Sequence, residues 1–397
     1  MSVTSATSVY YDPYDRDIYT NPYQVYQRLR DETPLYYNDQ HDFYLVSRFD
    51  DVERVLADRD TFTSAQGGLI GMMNLPMPPG MFIYEDPPQH TMHRALVARV
   101  FTPKRVATIE PMIRDFCART AESLVGRESF DFMWDFAAEI PMQVIGMLVG
   151  IPESDQTRLR DHFHSVMHAG MADPSENEAL TTMAADDLFG EYIDWRAEHP
   201  SDDLMTQLLN LEFEDETGTT RRLRRDEVLI YLELLAAAGS DTTAQLISWA
   251  GKLLGENPGQ RREMTEHPEL IAGGIEEILR YEPPPYHFCR TAAHDVEIHG
   301  QAVPAGSAMV VLPGAANRDD RRFAEPETFD IHRQVGRIFA FGFGPHLCLG
   351  ANLARLEGRI ALEELLRRVP DWTVDMENAV MNPGVATRGW QSLPVVV

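Results

Sequence analysis

Apolar residues recur every three or four positions through most of the chain, and this period predicts helices. Alternation with polar residues is confined to short stretches, the clearest being 35–37 and 43–46, which predict a β-hairpin around residues 38–42. This combination predicts a mainly α fold with small β-sheets. The ranges predicted to be helical are 21–30, 50–57, 105–127, 135–150, 155–168, 178–199, 226–256, a helix that contains 277–280 and a helix after residue 350.

One predicted helix, residues 226–256, contains no proline and has a strongly apolar centre. At 1.5 Å per residue it would be about 45 Å long, which is enough to cross the whole molecule. Its middle, residues 238–243 (AGSDTT), consists of poor helix formers, because glycine costs about 1 kcal/mol relative to alanine and Asp and Thr compete for backbone hydrogen bonds. A harmless kink is one interpretation, but such local violations favour a functional site.

Residues 341–350 (FGFGPHLCLG) combine three glycines, a proline and a lone cysteine directly before an apolar-periodic helix. Cys348 is therefore predicted to lie near a helix N-terminus, where the helix dipole lowers the pKa of a thiol. A thiolate in apolar surroundings suits a thiolate-ligated haem iron. The alternatives are a small buried hydrophobe, a glycine turn, or a zinc site, which needs about four ligands where this loop offers one Cys and one His.

The pattern Phe-Gly-x-Gly-x-His-x-Cys-x-Gly resembles the cysteine-ligand loop of the cytochrome P450 family. The matching residues are Phe341, Gly342, Gly344, His346, Cys348 and Gly350. The resemblance implies a single cytochrome P450 domain in which Cys348 binds the iron of haem b. It also implies that Phe341, Gly342, His346 and Gly350 contact this cofactor. Motifs that resemble the family's follow in its order from about residue 20 to the C-terminus.

The poor helix formers in the middle of the long predicted helix resemble the family's oxygen-activating motif. The resemblance implies that the helix opens here to make room for dioxygen. Thr242 would hydrogen-bond the bound dioxygen and Asp241 would deliver protons, because O–O cleavage in a dry site needs both protons supplied. Peroxide-driven members replace this acid–alcohol pair, so its presence favours a dioxygen- and electron-dependent route. The residues implied to lie above the haem are Ala238, next to the cofactor, and Leu234 and Ala237, facing the substrate.

Two further regions carry cationic side chains that suit a carboxylate-bearing cofactor. His90 and Arg94 lie four residues apart, on one face of a predicted helix. Such a pair alone is also typical of a solvated face. The resemblance implies that both side chains hold haem propionates, and that Arg290 does the same.

Glu277 and Arg280 lie three residues apart on a predicted helix, a spacing that favours an ion pair. The resemblance implies that this pair is buried, that Arg333 completes it, and that the three residues brace the cysteine loop. Their implied role is structural and not catalytic.

Residues 67–82 (GGLIGMMNLPMPPGMF) form a long predicted loop without a charged residue. Long irregular loops are often functional, and methionines suit adaptable apolar surfaces. An ordinary buried loop is the alternative. The resemblance implies that this loop covers a pocket for a neutral, apolar substrate. The implied substrate contacts are Leu69, Ile70, Met72, Met73 and Met77 in this loop, and Tyr286, Phe288, Ala386 and Thr387 further along the chain. The predicted helices 155–168 and 178–199 would form a lid hinged at Gly170 and Pro174, or a plain surface hairpin.

The chain has 397 residues, of which 44% are hydrophobic, and no linker or repeat divides it. These features predict one domain over residues 1–397, with a loosely ordered segment at residues 1–18. The net charge of −27 argues against nucleic acid or an anionic membrane as a partner. The N-terminal region has neither the apolar run of a membrane anchor nor a signal peptide, and the three cysteines form no disulfide framework. A cytoplasmic protein without a membrane anchor is therefore expected.

The chain shows no flavin, nicotinamide or iron–sulfur motif, so electrons would come from outside. The resemblance implies a ferredoxin, or a flavodoxin, with its NAD(P)H-dependent reductase. A basic group could dock an acidic ferredoxin, although a solvated face explains it nearly as well. Its members are Arg99, Lys104, Arg105, Arg355 and Arg359.

The sequence thus predicts a haem-thiolate monooxygenase that hydroxylates a C–H bond of a neutral, largely apolar lipid, terpenoid, steroid or aromatic compound. Two rivals remain at this point. One is an enzyme of the same fold that couples substrates oxidatively or uses peroxide. The other is a haem-based sensor, which is disfavoured because no signalling or DNA-binding domain accompanies the predicted fold.

Overall fold

A computed structural model describes residues 9–152, 154–156, 158, 188–384 and 386–397 of the chain. The hinge residues Gly170 and Pro174, and most of the two predicted lid helices, lie outside these ranges. The helices predicted at 21–30, 50–57, 105–127, 135–150 and 226–256 are confirmed, with their ends shifted by a few residues. The α-helices of the described ranges are Arg16–Thr20, Tyr23–Glu32, Phe49–Ala57, Gln89–Ala98, Pro103–Glu122, Glu139–Val149, Leu188–Glu198, Leu204–Asn210, Arg225–Glu256, Pro258–Glu266, Ile271–Tyr281, Pro313–Ala316 and Ala351–Arg368.

The β-strands are short and form small sheets, as the sequence predicts. They are β1 Leu35–Asn38, β2 Phe43–Val46, β3 Phe62–Thr63, β4 Ser129–Asp131, β5 Glu212–Glu214, β6 Thr220–Arg222, β7 Phe288–Ala292, β8 Val296–Ile298, β9 Gln301–Val303, β10 Ala308–Val311, β11 Thr373–Val374, β12 Val380–Met381, β13 Trp390–Ser392 and β14 Pro394–Val396. The largest sheet has the order β1-β2-β10-β7-β3. The predicted hairpin is confirmed, with Leu35 opposite Val46 and Asn38 opposite Phe43. Strand β10 runs parallel to β2 and antiparallel to β7.

The long helix (Arg225–Glu256) runs through the larger hydrophobic core, which collects residues from Leu35 to Val395. It packs against the cysteine helix (Ala351–Arg368) and the helix Glu139–Val149. Glycine permits close approach at one contact, because a Cβ at Gly239 would lie 2.9 Å from Cδ1 of Ile145. Gly239, one of the poor helix formers, therefore has a packing reason in addition to the expected functional one.

A second core, rich in tyrosine, packs the N-terminal segment against strands β1, β2, β7 and β10. It contains Tyr11, Tyr19, Tyr26, Tyr36 and Tyr286. Tyr11 is fully buried and the helix that starts at Arg16 is capped by the Asp15 carboxylate. The expectation of a loosely ordered segment is therefore wrong for residues 9–18, since tyrosine rings supply enough apolar area to anchor them. No helix of the described ranges is long and apolar enough to cross a bilayer.

Buried ion pairs fix the segment that leads to the cysteine loop. Glu277 accepts hydrogen bonds from Arg280, at 2.7 and 2.9 Å, and from Arg333 at 3.1 Å. The Glu277 and Arg280 side chains are fully buried. Arg280 also donates to the carbonyls of Asn317 and Pro326, at 3.0 and 2.9 Å. This arrangement ties helix Ile271–Tyr281 to the irregular chain that precedes residue 341.

Candidate active site

The cysteine loop, residues 341–350, makes a tight turn that ends at the start of the cysteine helix. Gly342 and Gly344 adopt φ values of 67° and 72°, which favour glycine. At Gly344 a side chain is also excluded sterically, because a Cβ there would lie 2.7 Å from the carbonyl oxygen of Leu56. The amide of Cys348 donates to the carbonyl of Phe341 at 2.8 Å and closes the loop. These constraints hold the thiol in place next to the helix N-terminus.

The Cys348 thiol is exposed to an internal cavity, yet it lies deep in the molecule. Burial raises the pKa of this thiol, while the Gly350 amide and the nearby Arg94 and Arg355 lower it by less. The expectation of a lowered pKa is thus wrong for the protein alone, because desolvation outweighs the positive groups around the sulfur. A cation at the sulfur would reverse this balance, since a coordinating thiol loses its proton.

The cavity has a volume of about 290 Å³ and lies between the cysteine loop and the middle of the long helix. Its lining is mostly apolar. The long helix contributes Leu234, Leu235, Ala238, Gly239, Thr242, Thr243 and Leu246, and the cysteine loop and helix contribute Phe341, His346, Cys348, Leu349, Gly350, Leu353, Ala354 and Glu357. Phe288 also reaches the cavity. An apolar cavity with a thiol on one wall and a hydroxyl on the other suits a large flat metal-bearing ligand.

Two nitrogen-bearing side chains, Arg94 and His346, line this cavity, and those of His90 and Arg290 lie near His346. The rings of His90 and His346 lie 4.1 Å apart, and Arg94 donates to the carbonyl of Leu347 at 2.5 Å. Arg290 is almost fully buried and donates to the carbonyl of the residue before it at 2.7 Å. Burial lowers the pKa of Arg290 to about 10, and burial together with the neighbouring cations lowers the pKa of His346 to about 2. Burial is also the main reason why the pKa of His90 is lowered.

The cluster contains buried donors and cations that form no ion pair with a carboxylate of the described residues. Both ring nitrogens of His90 are buried without a hydrogen-bond partner. Within the described ranges, neither Arg94 nor Arg290 forms an ion pair with a carboxylate. Buried cations and buried donors are costly unless they are paired. The cluster therefore fits a ligand with two carboxylates, as iron protoporphyrin has, and Cys348 fits its metal.

In the middle of the long helix, the neighbouring side chains of Asp241 and Thr242 lie in different surroundings. The helix is continuous through residues 238–243, so the expected opening is not present. The hydroxyls of Ser240 and Thr242 donate to carbonyls in the preceding turn, which satisfies them within the helix. Thr242 faces the cavity. Asp241 is half-buried, and desolvation raises its pKa although hydrogen bonds from Thr387 and Gln245 lower it.

Several predicted substrate contacts lie away from this cavity. Ile70 and Met73 pack against the tyrosine-rich core, and Tyr84 donates to the sulfur of Met72. The Tyr286 ring packs on Tyr19 at 5.1 Å. Leu69, Ala237 and Ala386 are not part of the cavity wall, and Thr387 contacts Asp241. Met77 lines a separate cavity of about 540 Å³.

Sequence reasoning missed several residues that the structure places on the cavity wall. Phe82 is the last residue of the long loop 67–82 and Ile83 follows it, and neither is among the predicted substrate contacts. Glu357 is a buried carboxylic acid on the cysteine helix, and desolvation raises its pKa to about 8. It follows Gly350, Leu353 and Ala354 at helical spacing, so the period of the helix could have placed it on the same face.

The chain is similar to known proteins over nearly its whole length. A family model described as Cytochrome P450 matches residues 182–382. The chain is similar to a putative cytochrome P450 123 of Mycobacterium tuberculosis, with 36% identity over 97% of this chain and 96% of the relative. Among solved structures, CYP109Q5 from Chondromyces apiculatus has a TM-score of 0.86 and 32% identity, with 97% of each chain covered. CYP109E1 from Bacillus megaterium, in complex with testosterone, has a TM-score of 0.82 and 29% identity, covering 95% of this chain and 99% of that one.

Proposed function

The chain belongs to the cytochrome P450 family, and on this premise we propose that it inserts one atom of dioxygen into a C–H bond of a neutral, largely apolar small molecule. As a member of this family, the chain is a monooxygenase that depends on dioxygen and on redox partners. The observation that carries the proposal is the shared cavity, which Cys348 and Thr242 line from different elements.

Haem b is the proposed cofactor. Cys348 would bind its iron, and the four residues His90, Arg94, Arg290 and His346 would hold its two carboxylates. When bound, haem supplies the redox chemistry that activates dioxygen, and a thiolate ligand favours O–O cleavage. Phe341, Gly342, Gly350 and Ala238 are proposed to contact the ring. Three of them line the cavity, while Gly342 adopts the left-handed turn that shapes the loop.

The chain itself would contribute proton delivery, orientation and exclusion of water. Thr242 would donate its hydroxyl proton in a hydrogen bond at the cavity, and Asp241 would hold and release a proton one residue away. The raised pKa of Asp241 supports this role, because a carboxyl group that stays protonated nearer to neutral pH is a better proton donor there. The largely apolar wall keeps water from competing with the substrate.

The proposed substrate is uncharged because the cavity wall is mostly aliphatic and aromatic. Near the long helix it is formed by Leu234, Leu235 and Leu246, and opposite by Phe82, Ile83 and Phe288. The solved complex of the similar CYP109E1 contains testosterone, a neutral steroid. Lipids, terpenoids, steroids and aromatic compounds all match this chemistry.

A ferredoxin, or a flavodoxin, with its NAD(P)H-dependent reductase is the proposed electron source. The proposal rests on the family and not on the basic group singled out in the sequence. Arg355 pairs with Glu276 at 2.5 Å, and Arg359 pairs with Glu363 at 2.6 Å. Arg105 pairs with Asp202 at 2.7 Å. Much of the positive charge in that group is therefore already neutralised within the protein.

Turnover with isotopically labelled dioxygen tests the proposed function. Compounds of the four classes are first screened for a shift of the haem spectrum to high spin. Those that bind are then incubated with the holoenzyme, NAD(P)H, a surrogate ferredoxin and its reductase. We expect one labelled oxygen atom in a hydroxylated product. Coupled products without added oxygen, products formed only with peroxide, or binding without turnover would each contradict the proposal.

Replacement of Arg290 by leucine is expected to weaken haem binding at least tenfold. A hydrogen bond to a charged group contributes about 1.5–3 kcal/mol, and about 1.4 kcal/mol corresponds to a factor of ten. The measurement is the rate of haem transfer from the variant to excess apomyoglobin. Arg59→Leu is the control, because the Arg59 side chain is 54% exposed. Equal haem transfer rates for both variants would show that Arg290 does not hold the haem.

A further inference from the structure

The carboxylate of Asp241 is held by two neutral donors that come from different parts of the fold. The hydroxyl of Thr387 donates to Oδ2 at 2.5 Å, and the side-chain amide of Gln245 donates to Oδ1 at 3.3 Å. Thr387 lies 146 residues further along the chain. Each carboxylate oxygen thus has its own donor, which fixes the plane of the group.

Gln245 is itself locked in one orientation by the C-terminal strand β13. Its amide nitrogen donates to the Trp390 carbonyl at 3.1 Å, and its amide oxygen accepts from the Trp390 amide at 2.7 Å. The side chain therefore pairs with the backbone as a neighbouring strand would. This pairing joins the middle of the long helix to strand β13, a short distance along the chain from Thr387, the other donor to Asp241.

Two backbone contacts hold Thr387 in place. Its carbonyl accepts a hydrogen bond from the Tyr19 hydroxyl at 2.9 Å, and it forms an isolated β-bridge with Pro285. The buried side chain of Asn382 donates to the Thr387 hydroxyl at 3.4 Å. With that lone pair occupied, the hydroxyl proton is left to point at Asp241. Several part-buried contacts therefore hold this single donor in place.

Charged groups near Asp241 are engaged elsewhere. Arg388, the buried cation that follows Thr387 in the chain, pairs with Glu282. Arg16 donates to the carbonyls of Asn382 and Pro383. Tyr19 is a further titratable neighbour, and burial raises its pKa so that it stays neutral. In the described part of the chain, the Asp241 charge is thus stabilised by hydrogen bonds and not by an ion pair.

We propose that Thr387 is a positioning residue that holds the Asp241 carboxyl group in place for proton delivery, and not a substrate contact. The inference rests on the proposed monooxygenase function. Each proton that Asp241 releases leaves a carboxylate, which the Thr387 and Gln245 donors stabilise, and solvent supplies the next proton. Without the Thr387 hydroxyl, Oδ2 loses its donor in a half-buried site, so the carboxyl group both holds its proton more tightly and loses its fixed orientation.

The test compares Thr387→Val, which keeps the shape and removes the donor, with Thr387→Ser, which keeps the hydroxyl. Thr373→Val is the matched control, because Thr373 lies exposed on strand β11. Three quantities are measured on the holoenzyme. The first is the pH midpoint of the infrared band of the protonated Asp241 carboxyl, identified as the band lost in Asp241→Asn. The second is the ratio of hydroxylated product to NAD(P)H consumed, and the third is the substrate affinity from the spectral shift.

We expect Thr387→Val to move the infrared midpoint to higher pH and to lower the product ratio about tenfold, with unchanged substrate affinity. Thr387→Ser and Thr373→Val should behave like the parent. An unchanged midpoint overturns the inference, as does an unchanged product ratio or a loss confined to substrate affinity. If the parent forms no hydroxylated product, the proposed function fails, while the infrared midpoints still decide whether Thr387 controls Asp241.

Discussion

Replacing Glu277 by glutamine is expected to lower the free energy of unfolding by about 3–5 kcal/mol, the usual cost of breaking a buried ion pair by removing one charge. The Glu277 carboxylate faces Arg280 and Arg333, at 2.7 and 3.1 Å. Glutamine keeps the volume but leaves both guanidinium groups without their counter-charge. The loss should appear as a lower midpoint of thermal unfolding and as faster release of haem, since the chain before residue 341 is tied down by this cluster.

Glu122→Gln provides the comparison for that experiment. Glu122 pairs with Arg368 at 2.9 Å, but its side chain is 68% exposed. Ion pairs at such positions contribute about 0–1 kcal/mol. If both variants unfold at the same temperature and release haem at the same rate, the buried cluster does not brace the cysteine loop.

Replacing Asp241 by asparagine is expected to slow hydroxylation about a hundredfold, the lower end of what a positioned proton donor contributes. Asparagine has the size of aspartic acid, and its carbonyl oxygen can still accept the hydrogen bond from Thr387. It cannot release a proton to the cavity. Consumption of NAD(P)H should therefore continue while its electrons appear in hydrogen peroxide instead of product.

The measurement is simultaneous assay of NAD(P)H, peroxide and hydroxylated product at saturating substrate. Asp60→Asn is the control, because the Asp60 side chain is 93% exposed. It should match the parent in all three quantities. An Asp241→Asn enzyme that converts NAD(P)H into product with the yield of the parent would show that the proton follows another route.

The parts of the site that the sequence predicts best are those encoded within a few neighbouring residues. The cysteine loop carries its own turn chemistry, because Gly342 and Gly344 require φ values that other residues avoid. The poor helix formers at 238–243 stand out against the long helix around them. Glu277 and Arg280 pair within one helical turn, and their spacing alone predicts the contact.

Contacts between segments far apart in the chain could not be predicted from local sequence patterns. Nothing in the local pattern around Thr387 indicates that its hydroxyl meets a carboxylate on the long helix. The loop 67–82 has no period that could assign its faces, so the residues chosen there, such as Ile70, pack on the tyrosine-rich core while Phe82 and Ile83 reach the cavity. The pKa of Cys348 was expected from the helix dipole alone, although burial depends on how the whole chain folds around it.

The reduced carbon-monoxide spectrum of the purified holoprotein, compared with that of Cys348→Ser, tests the central claim most directly. Cys117→Ser serves as the control, since Cys117 is a buried thiol outside the cavity. We predict that the parent and Cys117→Ser give the spectrum of thiolate-ligated haem, and that Cys348→Ser either loses haem or gives the spectrum of a haem without a thiolate ligand. A Cys348→Ser protein that binds haem and gives the same spectrum as the parent would contradict the assignment.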